Sequence, residues 1–399
     1  MLKLKHLRHP LRTAAIAKAR IDGRLNIHRA GRQIERRYAA DPRYNLDNVT
    51  LGFANRLAPE NQDDSALLAR ICAAYRKAVE DQPFQSSVYR PTKWWQEVRT
   101  NCLGPVMQAL QTGDLDTLRS IYCNFFRDRC SSGLVDLPYG KPKAWFGPSI
   151  DNRRRRFYLG DALHRLDVWA DMWTATVATE TGSYRTTRDL AGPNIGNPFG
   201  IVLDDVLIPT GATYQHYCAH RILGELAPGP SAVAEIGGGY GGMAYYLLRD
   251  HPRLTYLDFD LPESLALTAY YLQTAFPEKT FLLYGEEELS SKAIHQADVI
   301  LMPLFEMQKL PTAGVDVSFS ANAISDLASE SLAEYLKILA RCTRRSFLHI
   351  GSSEAAPKLS GEILRNQLPL RLAETHSSNW YIYRTRSAVE IESLYHVGA

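Results

Sequence analysis

Glu235-Ile-Gly-Gly-Gly-Tyr-Gly-Gly242 is the stretch on which the reading of this chain turns. An apolar run, Ala232–Ile236, precedes it and a helical spacing, Gly242–Arg249, follows, so the glycines are predicted to turn a strand into a helix. Glycine keeps such a turn tight and lets the backbone approach a ligand closely. The string satisfies Gly-x-Gly-x-x-Gly through Gly237, Gly239 and Gly242, and an acid, Asp260, closes the next apolar run eighteen residues on. A dinucleotide-binding fingerprint reads the same way. The turn alone therefore leaves a nicotinamide cofactor and S-adenosylmethionine both open.

Outward from the turn, short apolar runs alternate with helical spacings. Strands are expected at Leu254–Phe259, near Phe281–Tyr284, and at Val299–Met302, Val315–Phe319 and Phe347–Ile350. Helices are expected at Pro262–Ala275, Ser329–Arg341 and Gly361–Gln367. Two last strands, Leu370–Glu374 and Tyr381–Arg384, flank the polar turn Ser377-Ser378-Asn379 and should pair as an antiparallel hairpin. The alternation predicts a mostly parallel sheet with helices on both faces. A parallel sheet closed by such a hairpin is the layout of class I methyltransferases. The expected fold is thus α/β, with a Rossmann-like C-terminal sheet and a mainly helical N-terminal domain.

Pro228-Gly-Pro230 marks the main domain boundary. Upstream, Asp64 to Phe126 is spaced helically, residues 131–150 are a Gly/Pro-rich connector, and Leu159 to Trp173 and Tyr214 to Glu225 are helical. The expected units are a basic segment at 1–60, a helical domain at 61–150, a connecting or acceptor-cap region at 151–230, and the cofactor domain at 231–399. Composition is ordinary for a globular protein, 45% hydrophobic and 22% charged, and the net charge of +3 does not point to a nucleic-acid partner. Residues 1–43 nevertheless hold twelve Lys/Arg against three acids. That stretch is read either as a solvated basic tail or as a peripheral contact with an anionic membrane surface. Arg153-Arg-Arg-Arg156 is read as a solvated face, with a phosphate-binding role as the alternative. No apolar core of signal-peptide length follows the early basic residues, and no 18-residue apolar run occurs. Six scattered cysteines without Cys-x-x-Cys suit free thiols in a reducing cytoplasm, extending to the inner membrane face if the basic stretch docks there.

Three features choose the cofactor. Glu235 lies two residues before the first glycine, where a pyrophosphate is unwelcome and an ammonium and a sulfonium are favoured. The domain is C-terminal and expected to end in the hairpin, with no catalytic domain expected after it. Asp258-Phe-Asp-Leu-Pro-Glu263 matches the second-strand motif of many O-methyltransferases, in which the Asp before Leu-Pro holds the ribose hydroxyls. S-adenosylmethionine is the expected cofactor, with a nicotinamide oxidoreductase as the alternative.

On these residues the chain resembles the sugar O-methyltransferase family of bacterial surface-polysaccharide pathways, over roughly residues 85–399. The pieces are the glycine turn, Asp260-Leu-Pro-Glu-Ser-Leu-Ala-Leu with Tyr270-Tyr-Leu, Ile195-Gly-Asn-Pro-Phe-Gly200, and Asn124-Phe-Phe-Arg127. The resemblance implies cofactor contacts from Glu235, Gly237, Gly238, Gly239, Tyr240, Gly241, Asp260, Leu261 and Ser320. It also implies a sugar or glycan acceptor, as a nucleotide sugar, lipid-linked glycan or polymer end. One motif departs: Ser320 stands where the family has Asn, and Asp326-Leu327 where it has Glu-Met.

Methyl transfer to a hydroxyl calls for a general base. Asp326, just past the fourth main strand, is one candidate, with an N-cap of the next helix as its alternative role. His216 and His220, spaced i, i+4, are the others; with no third ligand near in sequence, no metal is expected. His349 and His376 read as packed or strand-end histidines. Trp94, Trp95 and Trp145 serve either as helical core or as platforms for a sugar ring. A homo-oligomer, an acceptor other than a sugar, and a non-catalytic partner of a glycan-assembly complex stay open.

Overall fold

In the computed structural model, residues 29–57, 64–135, 152–176, 186–380 and 389–398 are described. Strands β1 (Gly200–Leu203) and β2 (Val206–Pro209) form a small antiparallel hairpin. The other eight, β3 (Ser231–Ile236), β4 (Leu254–Asp260), β5 (Phe281–Leu283), β6 (Val299–Pro303), β7 (Val315–Ala321), β8 (Thr343–Ser352), β9 (Leu370–Ser378) and β10 (Glu390–Val397), make one sheet. Its order is β5-β6-β4-β3-β7-β8-β10-β9. Every neighbour pairs parallel except β10, which runs antiparallel between β8 and β9. Apart from the short edge strand β5, this is the class I methyltransferase order, with the last strand slotted in backwards before its predecessor. Strands β3 and β6 are buried at every residue, as central parallel strands covered on both faces must be.

The expected α/β architecture stands, with local differences. The turn expected at Ser377-Ser378-Asn379 is not where the hairpin turns: Ser377 and Ser378 belong to β9 and pair with Ile391 and Glu390. The strand expected at 381–384 lies outside the described residues. The helix expected at Gly361–Gln367 begins at Ala355 and ends at Arg365. Pro357 sits in its first turn, where a missing N–H costs nothing, so a residue that resembles a breaker conceals the start. The β1–β2 hairpin hid in a turn-rich stretch, because each strand has only four residues.

The basic N-terminal stretch is not all tail. Residues 29–38 are helical and bury Ala30, Ile34 and Tyr38. Arg37 and Arg43 both pair with Asp167, at 3.1 and 3.0 Å, and the Tyr38 hydroxyl donates to the same carboxylate at 2.8 Å. Residues 1–28 lie outside the described residues. No helix among the described residues is long and apolar enough to cross a membrane.

The helical region is clamped to the sheet by ion pairs. Arg99 donates two hydrogen bonds to Glu263, at 2.5 and 2.7 Å, and Arg70 donates two to Glu286, at 2.6 and 2.9 Å. Glu263 is 5% exposed, so the final acid of Asp-Leu-Pro-Glu is a clasp for the Arg99 segment. The two upstream motifs meet each other. Asn197 donates to the Asn124 side chain at 2.8 Å, and Arg127 donates to the Asn197 and Pro198 carbonyls at 3.0 and 3.2 Å. Phe125 and Phe126 then pack on Tyr240, with ring centroids 5.6 and 5.3 Å away, and brace the glycine turn from above.

Candidate functional site

A cavity of about 620 Å³ opens over the C-terminal ends of β3, β4 and β7. Its size suits a small-molecule ligand, and its place is where open parallel sheets bind theirs. The glycine turn forms its floor: Glu235, Gly237, Gly238, Gly239, Tyr240 and Asp260 all line it. Gly237 adopts φ +81°, and a Cβ there would lie 2.2 Å from Ala323 Cβ, so only glycine fits. Gly241 caps the following helix, Gly242–Asp250, and Leu261 contributes a backbone N–H; neither lines the cavity.

The turn's N–H groups point inward. Gly238 N–H donates to Asp258 Oδ1 and Gly239 N–H to Asp260 Oδ2, both at 3.0 Å, while Leu261 N–H donates to Asp260 Oδ1 at 2.6 Å. Tyr256 Oη donates to Glu235 Oε2 at 2.5 Å. Burial drives Glu235 up to about 8 and Asp260 up to about 7. Asp258 is also pushed well above the ordinary carboxylate range, through burial and then its two acidic neighbours.

Ser320 does not reach the cavity. It is fully buried and its Oγ donates to the Ile236 carbonyl at 3.1 Å, tying β7 to the end of β3. Phe319 and Ala321, the alternate residues of β7, line the wall instead, followed by Asn322 and Ala323. Asp326 lines it too, exposed in the turn after β7. The next helix, Ser329–Cys342, has Ala328 as its N-cap and no side-chain cap bond, so Asp326 does not cap it.

The helix Ala212–Glu225 presents Tyr214, Gln215 and Cys218 to the cavity, and not His216 or His220. His216 is fully buried, accepts at Nδ1 from Trp169 Nε1 at 3.3 Å, and stacks on His220 with centroids 4.4 Å apart. His220 Nε2 lies 2.8 Å from Asp250 Oδ2. Ligand atoms of His216, His220 and Asp250 fall within 4.8 Å of one another, which supplies the third group that sequence spacing lacked. Yet a neutral imidazole that accepts at Nδ1 carries its proton on Nε2 and has no lone pair left for a metal. The trio is best described as a helix–helix brace. His220→Ala should lower the melting temperature by roughly 2–4 °C, from about 1 kcal/mol lost, and leave ligand binding in the cavity intact. Thermal unfolding beside a binding titration checks this; lost binding at unchanged stability would return His220 to the site.

His349, read as packed, is fully buried in β8, and burial pushes it down to about 4. His376 is exposed on β9. Trp94 and Trp95 both line the cavity, edge to face at 4.9 Å, and Trp94 remains 52% exposed, so it is not core. Trp145 lies outside the described residues. Arg165, Gln215 and Asn322 are wall residues that no motif announced. They come from three distant segments, and only the fold gathers them.

No family model matches the chain, and no curated protein matches it. Among solved structures it is similar to a SAM-dependent methyltransferase from Aquifex aeolicus, at 15% identity and TM-score 0.32 over 45% of this chain and 89% of that one. It is also similar to geranyl diphosphate C-methyltransferase from Streptomyces coelicolor, at 12% identity and TM-score 0.34 over 59% and 97%. A third similar structure is mitomycin 7-O-methyltransferase, at 13% identity and TM-score 0.32 over 46% and 55%. Each is a likeness of fold only.

Proposed function

We propose that this chain binds S-adenosylmethionine over the Glu235–Gly242 turn and transfers its methyl group to a sugar hydroxyl. One observation carries the cofactor reading: the turn's N–H groups at 238 and 239 are spent on Asp258 and Asp260. A dinucleotide site needs such N–H groups for its pyrophosphate. Here a phosphate would find them engaged and would face two acids lining the same floor, Glu235 and Asp260. A ligand carrying an ammonium and a sulfonium is the electrostatic complement.

Bound there, the cofactor supplies an electrophilic methyl carbon. The protein's part is placement and proton removal. The acceptor oxygen must sit about 3 Å from that carbon, in line with the bond that breaks. Asp326, on the acceptor side of the cavity, is the base assigned to take the hydroxyl proton as the C–O bond forms. Trp94 and Trp95 offer aromatic faces for a sugar ring, and Asn322 and Arg165 offer donors for its oxygens. The family resemblance of the motifs supports the same acceptor class.

Side-by-side calorimetric titration is the test. S-adenosylhomocysteine is expected to bind and NAD to give no heat; the reverse outcome rejects the reading. A screen of nucleotide sugars and glycan ends with methyl-labelled cofactor then tests the acceptor. Label found only on non-sugar hydroxyls would reject the sugar and keep the methyltransferase.

A further inference from the structure

Tyr256, Asp258 and Asp260 alternate along β4, and Glu235 is the register partner of Asp258 on β3. All four side chains therefore leave the same face of the sheet, beneath the glycine turn. The turn lies directly on them: a Cβ at Gly238 would come within 2.7 Å of both the Asp258 carboxyl and the Tyr256 hydroxyl. Glu235 and Asp260 reach the cavity, but Asp258 is fully buried and does not line it. Its Oδ1 accepts from Gly238, and its Oδ2 has no hydrogen-bond partner among the described residues. The nearby Thr268 hydroxyl is directed to the carbonyls of Gly239 and Ser264, at 2.8 and 3.0 Å.

Three carboxyls thus cluster on one face of the sheet, Asp258 sealed and Glu235 and Asp260 at the cavity floor, and among the described residues none forms an ion pair with a Lys or Arg. The charged groups packed around them are few. Glu263 stands beyond Asp260, bound to Arg99. Tyr335, from the helix Ser329–Cys342, and Cys218, from the helix Ala212–Glu225, are both held protonated by burial. A buried acid without a counter-ion is costly to keep ionised.

We propose that Asp258 is a positioning residue that makes the site prefer a cationic ligand to its neutral counterpart, the cation entering in exchange for a proton held by the Glu235–Asp258–Asp260 cluster. The proposal rests on the cofactor reading above and names what selects the charged cofactor over the spent one. S-adenosylmethionine and S-adenosylhomocysteine carry the same ammonium and differ by the methyl and the sulfonium charge. The exchange balances: one positive charge enters, one proton leaves the cluster for solvent, and no covalent bond to carbon changes. The raised Glu235 and Asp260, near 8 and 7, place that proton within reach of neutral pH. The sign follows: an acid whose pKa falls when the cation binds makes cation affinity rise with pH through this window and level off above it.

The experiment is calorimetry of both ligands from about pH 6 to about pH 8.5, in buffers of low and high ionisation heat, on the full chain and on Asp258→Asn. More protons should leave with S-adenosylmethionine than with S-adenosylhomocysteine. The preference for S-adenosylmethionine should grow roughly three- to tenfold between about pH 6 and about pH 8. Asp258→Asn keeps an acceptor for the Gly238 N–H and should shrink both differences. Equal proton counts for the two ligands in the unmodified protein overturn the proposal without any variant. A variant that keeps the full preference and pH profile also overturns it. If neither ligand binds, the cofactor reading fails and this proposal with it.

Discussion

Asp326→Asn is expected to slow methyl transfer by roughly 10²–10⁴-fold, about 3–5 kcal/mol of barrier, and to leave S-adenosylhomocysteine affinity within about twofold. The split follows from placement. Asp326 is on the cavity wall, past the end of β7, while the glycine turn, Glu235 and Asp260, to which the proposed reading assigns the cofactor, line the cavity at the ends of β3 and β4. Its segment is held independently of its carboxylate: Asn322 N–H donates to the Ile350 carbonyl at 2.8 Å, and Ile324 is buried. The helix behind it is capped at Ala328 without side-chain help, so loss of a cap cannot account for a rate defect. Asn keeps the shape and an acceptor oxygen but cannot take a proton at neutral pH. Single-turnover transfer from labelled cofactor to the acceptor found by screening, beside a binding titration, measures both halves. Near-normal turnover would remove Asp326 as base and leave it an orienting contact at most.

How much of this was legible beforehand depends on the range of each interaction. The glycine turn, its strand and its helix are local, and Glu235-Ile-Gly-Gly-Gly carried them. Asp260 was legible for the same reason, since it closes the next strand of the same β-α-β unit. Ser320 misled because motif alignment ignores which way a strand residue points. With Phe319 and Ala321 facing the cavity, period-2 alternation turns Ser320 away, and the serviceable polar residue is Asn322. His216 and His220 misled differently. Both faces of their helix are buried, one against the cavity side chains and one against Trp169, Tyr246 and Asp250, so helical spacing could not say which face was which. Arg165 and Trp94 reach the wall through tertiary packing between segments far apart in sequence, and no local pattern encodes that.

Asp260→Ala is expected to weaken cofactor binding by more than about tenfold, because charge-assisted hydrogen bonds to a carboxylate contribute ~1.5–3 kcal/mol each. Both Asp260 oxygens already accept from the backbone, one from Gly239 and one from Leu261, so the residue has two jobs. It shapes the turn, and it lines the cavity, where the proposed reading has ribose hydroxyls donate to it. Alanine removes both and also strands two N–H groups, so a large loss by itself does not separate contact from scaffold. Asp260→Asn does. It retains one acceptor oxygen for the turn and removes the charge. If ribose contact dominates, the asparagine protein should melt near the unmodified temperature and still bind S-adenosylhomocysteine several-fold more weakly. If scaffold dominates, affinity and melting temperature should fall together in the alanine protein and recover together in the asparagine one. Unchanged affinity in the alanine protein rejects both roles. Such a result would leave Glu235 as the acid that meets the ligand, since Asp258 is sealed beneath the turn.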